Sequence, residues 1–380
     1  MIREYNKIKI FSFFSGAGFL DLGFEKENYE IVFVNEYNHN FLEAYKYARK
    51  QMKIDSPKLG YYCGDINELL KGELKKDFEK KVKKMKGEGL VGFIGGPPCP
   101  DFSVAGKNKG ISGENGMLTN SYKCLILQQQ PDFFLFENVK GLWSTQKHRK
   151  EYEKIKSALR REGYILIDKL VNALDYGVPQ DRERVILFGI KYNLVDDNRR
   201  NAVQKLKKGF NWGTIEEYNA DNRKRCNWPE VSEFMENSKI EQPKNIIPEL
   251  CVEYWFEKND LYRHYNANDY FKPRSKERFN SIQEGDVSKK SFKRLHRWRY
   301  SPTAAYGNNE VHLHPYLPRR ISVAEALAVQ SLPAAFELPE DLPLSAKFKM
   351  VGNGVPYLLA HGIATELYEW IEEFQHRIGE

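Results

Sequence analysis

KIKIFSFFSGAGFLDLGF, residues 7–24, carries the reading of the fold. Phe11–Phe14 is a candidate buried strand, SGAGF (15–19) follows at once, and LDLGFEKENY reads as the start of a helix. A strand that ends in glycines and passes straight into a helix lets the backbone approach a ligand closely at the turn. Outward from this unit the same period continues. YEIVFVNEY, LVGFIGG, DFFLFENV, YILIDKLV and RVILFGI are short β-rich runs, and segments such as 40–51 and 148–162 between them have helical composition. The expected class is α/β, a doubly wound, mainly parallel sheet covered by helices on both faces.

After Ile190 the pattern breaks. Residues 191–300 are polar, Asn-rich and aromatic, and helical apolar patterning returns at 321–330 and 355–374. The expected organisation is a ligand-binding domain over 1–190, a smaller irregular domain over 191–300 that extends at most to about 318, and a 301–380 segment whose final helix returns to the first domain. There is no internal repeat and no low-complexity tract.

The chain has 380 residues, 41% hydrophobic and 29% charged, enough for a real core. It has no apolar run of about 18 residues, and its start lacks a cationic, apolar and small-residue sequence, so neither a membrane span nor a secretory signal is expected. Cysteines 63, 99, 124, 226 and 251 are odd in number and scattered, with no C-x-x-C pair and no zinc-like spacing. That pattern points to a reducing cytoplasm, no metal site, and any special cysteine being special by reactivity. The net charge of +7 lies within 272–299, which holds ten Lys/Arg and three Asp/Glu, and the rest of the chain sums to zero. Such a run is a candidate polyanion-facing surface, with Lys289, Lys290, Lys293, Arg294, Arg297 and Arg299 as contact candidates. The Lys-rich stretch 71–88 instead reads as the wet face of an amphipathic helix, because Leu70, Leu74, Phe78, Val82 and Met85 recur at helical spacing.

Four motifs carry chemistry. Gly16 and Gly18 lie at the first turn, and Glu36 ends the next apolar run about 20 residues later, where an acid commonly grips ribose hydroxyls. Asp21 replaces the third glycine of a dinucleotide fingerprint, so a nucleoside ligand without pyrophosphate fits better; Asp65 in GDI (64–66) is either a contact to an exocyclic amine or part of an ordinary turn. In GFIGGPPCPDFS (92–103), Pro97, Pro98 and Pro100 form a rigid shelf around Cys99, a nucleophile candidate against the alternative of an inert thiol. The following stretch, 104–118, has Gly106, Gly110, Gly113 and Gly116 and the composition of a lid. Glu137 and Asn138 end PDFFLFENV (131–139), where desolvation raises a carboxylate's pKa; the alternative is an acid that only caps a helix. QDRER (180–184) puts Gln180, Arg182 and Arg184 on one side of an extended segment, facing either an anion or solvent.

FFSGAGFLDLGF, NEY, GDI, GGPPCPDFS, FENV, QDRER, RRISVAEALAVQSLP and VGNGVP stand in the order found in the cytosine-5 DNA methyltransferases, and the chain resembles that family over roughly 8–190 and 300–372. The uncovered part, 191–300, falls where the family carries its target-recognition domain. The resemblance implies a Rossmann-like methyltransferase fold, S-adenosylmethionine as cofactor, double-stranded DNA as partner and a flipped cytosine as substrate. It makes Cys99 the nucleophile and Glu137 the proton donor at ring nitrogen 3. Arg184 would orient Glu137, with Arg182 nearby and Asn138 holding the loop. Phe14 would stack on adenine, Gly16 and Gly18 would pass the methionine portion, and Glu36 would hold the ribose. Tyr37, Asp65, Ile66, Pro98, Leu118 and Asn353 would complete the pocket, and Ser103 would contact phosphate. The implied setting is a bacterial, nucleoid-associated monomer, paired or not with a restriction endonuclease. Three residues depart from the family's habit: Phe19 for glycine, Pro100 for glutamine, and Gly354 for alanine or serine.

Three rival readings can be separated. A branch acting on transfer RNA carries a Cys-Phe-Thr signature in its recognition region, whereas Cys226 and Cys251 are followed by Asn-Trp and Val-Glu. A silent nucleic-acid binder has no need of Cys99, Glu137, Arg182 and Arg184 together. A dinucleotide oxidoreductase lacks its third glycine and has no use for a proline-caged cysteine.

Overall fold

The computed structural model describes residues 7–98, 114–272, 276–289, 291–304, 306 and 310–374. Its main sheet has seven strands: β1 (Ile8–Phe13), β2 (Tyr29–Glu36), β3 (Tyr61–Cys63), β4 (Val91–Gly95), β5 (Phe133–Val139), β6 (Tyr164–Asn172) and β7 (Glu183–Lys191), in the order β3-β2-β1-β4-β5-β7-β6. From β3 to β5 every neighbouring pair is parallel, and β7 alone runs antiparallel to both its neighbours. The mainly parallel α/β sheet expected from the apolar runs is therefore present.

The helices of the first half are α1 (Phe19–Glu25), α2 (His39–Gln51), α3 (Gly72–Lys86), α4 (Glu114–Gln129), α5 (Lys140–Ser144) and α6 (Gln146–Arg161). The central strand β1 is buried along its whole length because both faces are covered. Ile8 and Ile10 join one apolar layer, while Phe11 and Phe13 join the other with Phe33, Phe78 and Phe93. The lysines of α3 lie outward, and Phe78, Val82 and Met85 are its buried stripe.

Beyond the sheet lie α7 (Arg199–Gly209), α8 (Ala220–Arg225), α9 (Val252–Lys258) and α10 (Lys276–Asn280), with β8 (Lys293–Arg294) pairing β9 (His312–Leu313). Within the stretch 191–300, read as lacking periodicity, α7 packs Ala202 and Leu206 into the main apolar cluster, and most of the described residues from 210 onward stand outside regular elements. Three helices close the chain: α11 (Val323–Val329), α12 (Leu344–Asn353) and α13 (Tyr357–Glu372). A capping box starts α11, with Ser322 accepting from Glu325 N at 3.2 Å and Glu325 accepting from Ser322 N at 2.7 Å. The last helix, α13, packs on α1, and Gly23 makes the close approach possible: a Cβ there would stand 2.6 Å from the Ala360 backbone. A further apolar cluster joins α9 and α11 to Ala17, Phe19 and Leu22. Among the described residues no helix is long and apolar enough to cross a membrane.

Candidate active site

The carboxyl ends of β1, β2, β4 and β5 share one edge of the sheet, where α/β folds hold ligands. At the end of β1 the chain turns sharply through left-handed conformations at Phe14 (φ 54), Gly16 (φ 57) and Gly18 (φ 82). For Phe14, a non-glycine residue, this is an uncommon conformation. Its half-buried ring meets Tyr122 edge-on at 6.1 Å. No described atom lies within 4 Å of a Cβ placed on Gly16, so this glycine faces open space. Glu36 ends β2 and binds the loop: Oε2 accepts from Gly16 N at 2.8 Å and Oε1 from Asn38 N at 2.7 Å. Burial pushes its pKa above the ordinary carboxylate value, against the pull of those backbone donors.

The other pocket candidates surround this edge unevenly. Tyr37 is exposed, Ile66 is buried, and Asp65 caps its turn by accepting from Asn67 N at 2.9 Å. Asn35, which the sequence reading missed, ties that turn to β2 through Tyr62 O (3.1 Å) and Gly64 O (2.9 Å). Pro98 is exposed, Leu118 is half-buried on α4, and Asn353 ends α12 on the surface. Phe19 and Gly354 turn out to be neighbours. A Cβ at position 354 would stand 2.2 Å from the Phe19 ring, so the two departures from the family pattern form one local exchange of volume.

Glu137 and Arg184 come together through strand register. Val139 on β5 is opposite Arg184 on β7, which puts Arg184 diagonal to Glu137 on the same face. Arg184 Nε lies 2.9 Å from Glu137 Oε1, with both side chains nearly buried. Burial raises the Glu137 pKa, and the guanidinium groups of Arg184 and Arg182 oppose it only in part. Gly96 lets this carboxylate close on the shelf that leads to Cys99, since a Cβ there would stand 2.6 Å from Glu137 Oε2. Asn138 Nδ2 donates to Pro97 O at 3.4 Å, tying the same shelf to β5. Cys99 itself, Pro100, Ser103 and the glycine-rich stretch through Gly113 lie outside the described residues.

Arg182 has a different set of partners. The expectation sets it among the catalytic groups, yet it is 1% exposed and its hydrogen bonds go to Gln180 Oε1, Ala304 O, Gly352 O and Gly354 O. Both terminal nitrogens are spent on these oxygens, so it holds the C-terminal segment against β7 and does not offer them to a substrate.

The model of the family described as C-5 cytosine-specific DNA methylase matches residues 8–369. The chain belongs to this family. It is a DNA cytosine-5 methyltransferase. The type II methyltransferase M.NmeDI of Neisseria meningitidis serogroup C is 56% identical over 99% of this chain and 87% of its own length. M.FnuDI of Fusobacterium nucleatum, also named a type II methyltransferase, is 30% identical over 96% of each chain. Among solved structures, a prophage-encoded protein of Escherichia coli shares the fold with a TM-score of 0.64 at 22% identity, covering 96% of this chain and 99% of the other. The DNMT2 of Spodoptera frugiperda does so with a TM-score of 0.56 at 16% identity over 96% and 99%.

In this methylase the basic run 272–299 divides into two kinds of residue. Arg294 is fully buried and donates to Ile282 O (2.7 Å), Phe279 O (2.6 Å) and Leu317 O (3.1 Å), besides His314 O. Arg297 is also buried, paired with Glu284 at 2.8 Å and donating to Ser238 O and Oγ. Both side chains are occupied inside the protein and knit the irregular region together, because an unpaired backbone carbonyl in a core needs a donor. Lys289 is exposed, Lys293 and Arg299 are half-buried, and Lys290 lies outside the described residues.

Proposed function

We propose that this methylase transfers a methyl group from S-adenosylmethionine to carbon 5 of a cytosine turned out of a short, specific duplex site, through a covalent bond from Cys99 to carbon 6. The observation that carries this reading is the buried Glu137–Arg184 pair set against Gly96 on the shelf leading to Cys99. Carbon 5 is a weak nucleophile until a thiolate adds to carbon 6, which moves the ring's π electrons toward carbon 5 and ring nitrogen 3. Glu137, whose pKa burial raises, holds a proton or a strong hydrogen bond at that nitrogen. Arg184 fixes its orientation, and Asn138 fixes Pro97 and with it the shelf. The cofactor supplies an electrophilic methyl group for carbon 5. Loss of the carbon 5 proton then restores the ring double bond and releases the Cys99 thiolate.

The cofactor's place is supported by the open face of Gly16 and by Glu36, which lies beside it and keeps a lone pair for a ribose hydroxyl. Phe14, Gly18, Tyr37, Asp65, Ile66, Pro98, Leu118 and Asn353 complete that pocket. The base is reached by flipping because its target atoms are closed inside a duplex. Residues 191–300 read the site, with Ser103 on the catalytic side touching phosphate. The modification protects DNA in a restriction-modification system, a reading supported by the name type II methyltransferase that M.NmeDI and M.FnuDI carry, and a single chain suffices for it.

Tritium transfer from labelled cofactor tests this with DNA, with RNA and with a Cys99→Ser variant. Label in DNA alone that vanishes in the variant is the expected result; label only in RNA, or undiminished in the variant, would sink the reading. Bisulfite sequencing of DNA from expressing cells then reports the target site.

A further inference from the structure

The first loop is also gripped from its inner side. Arg49 on α2 is 2% exposed and donates from Nη1 to Ala17 O at 3.2 Å and from Nη2 to Gly18 O at 2.6 Å. The same guanidinium pairs with Glu25 at 2.9 Å and lies 4.0 Å from the Tyr45 ring centroid. Tyr45 donates to Asp21 Oδ2 at 3.0 Å, and Ser12 donates to Oδ1 at 2.7 Å. The fit is close: a Cβ on residue 18 would stand 2.5 Å from both Arg49 Nη1 and the Tyr45 ring. Glycine is thus required at position 18 by contact as well as by its positive φ.

Two anchors therefore hold the turn. Glu36 takes the Gly16 amide at the strand ends, and Arg49 takes two successive carbonyls from behind. A planar guanidinium can bind two carbonyls and a carboxylate at once, which a lysine ammonium at the same depth cannot reproduce. With both carbonyls fixed, the peptide planes at 17 and 18 have no free rotation, and Gly16 keeps its open face toward the strand ends.

We propose that Arg49 is a positioning residue for cofactor binding, acting through the Ala17 and Gly18 backbone without touching the ligand. This rests on the assignment of S-adenosylmethionine to the loop. The test is calorimetric binding of S-adenosylmethionine to the full-length wild type and Arg49→Lys, alongside the thermal melt of the free protein, DNA affinity, and kcat at saturating cofactor.

Orphaning two buried carbonyls is expected to raise the Kd for cofactor about tenfold or more, with kcat within about twofold and DNA affinity unchanged. A folded Arg49→Lys protein that binds cofactor as the wild type does, even with a lowered melting point, overturns the proposal and leaves Arg49 a packing role. If Arg49→Lys does not fold, Glu25→Gln combined with Arg49→Gln, which removes both members of the Arg49–Glu25 ion pair together, decides by the same Kd. A wild type that binds no S-adenosylmethionine overturns the cofactor assignment and the proposal with it, and is distinguishable because it is read before any variant.

Discussion

Phe19 and Gly354 offer a sharp test of how the C-terminal segment is fitted to the first loop. Gly354 sits at φ −63 and ψ 151, a conformation open to any residue, so Gly354→Ala adds no backbone strain. Its Cβ, however, would stand 2.2, 2.7 and 3.0 Å from three atoms of the Phe19 ring. That ring is 2% exposed and already meets Phe336 edge-on at 5.1 Å, so it has no free direction in which to retreat. Overpacking of this kind costs about 2 kcal/mol. Phe19→Ala alone empties the same space and costs about 3–4 kcal/mol. In the double variant the new methyl enters the vacated volume and recovers about 0.8 kcal/mol, so the pair should cost about 3 kcal/mol, where additivity demands about 5–6. Urea unfolding of the four proteins measures the coupling, and the midpoints are comparable if the slopes agree. Costs that add to within about 0.5 kcal/mol would refute the packing argument. Because Gly354 O also accepts from Arg182, Gly354→Ala should weaken the hold of the C-terminal segment on β7 at the same time.

Four further outcomes follow from the site and the basic run. Glu137→Gln keeps the shape beside Arg184 but cannot deliver a proton to ring nitrogen 3, and single-turnover methyl transfer should fall about 10²-fold or more; a loss under about threefold would remove Glu137 from the chemistry. Burial pushes the Asp21 pKa up to about 6 from 3.8, so its neutral form favours the fold: the contribution is complete below pH 3.8 and is lost as pH rises through about 6. Compared with Asp21→Asn, the wild type should lose about 3 kcal/mol between those limits in unfolding experiments, and parallel pH profiles would contradict the shift. Neutralising Lys289 and Arg299 should flatten the salt dependence of DNA binding by about 0.9 in log–log slope for each phosphate that is no longer neutralised. Arg294→Met should leave that slope unchanged and cost about 1–3 kcal/mol of stability through orphaned carbonyls; the reverse pattern would turn Arg294 outward.

Five of the six longer strands, β1, β2, β4, β5 and β7, were legible as apolar runs buried on both faces, and the edge strand β6, largely half-buried, was legible from the apolar start of YILIDKLV. β3 was not: it has three residues, half-buried Tyr61 and Tyr62 and exposed Cys63, too few for any period to register. Nor was α4, whose buried positions mix Thr119, Ser121 and Gln129 with Tyr122, Leu125 and Ile126, leaving no apolar stripe to read. At the candidate site, Glu137, Arg184 and Asn138 were singled out from where they stand relative to strand ends. Arg49 carried no signal, since a single arginine on an amphipathic helix reads as a solvated charge until the turn it grips is folded beneath it. The basic run misled for a related reason. Charge counts do not record direction, and Arg294 and Arg297 point inward to carbonyls and to Glu284.

The proposed chemistry rests on a pair, Glu137 and Arg184, brought together by the one strand of the main sheet that breaks the parallel order. Catalytic side chains collect at the carboxyl ends of parallel strands, and Glu137 near the end of β5 follows that rule. A sixth parallel strand beside β5 would have brought its own carboxyl end to this edge and left Arg184, near its start, at the far side of the sheet. A strand of nine residues rises roughly 30 Å, so no arginine could span the difference. Because β7 is antiparallel, its first residues arrive at the ligand edge, and the register Val139 opposite Arg184 places the guanidinium within 2.9 Å of Glu137. The same reversal explains Arg182. Two residues upstream it has passed the strand end, where the C-terminal segment offers the carbonyls of Ala304, Gly352 and Gly354. One change of strand direction thus assigns the two arginines of QDRER to different tasks, one orienting the acid and the other closing the fold around it.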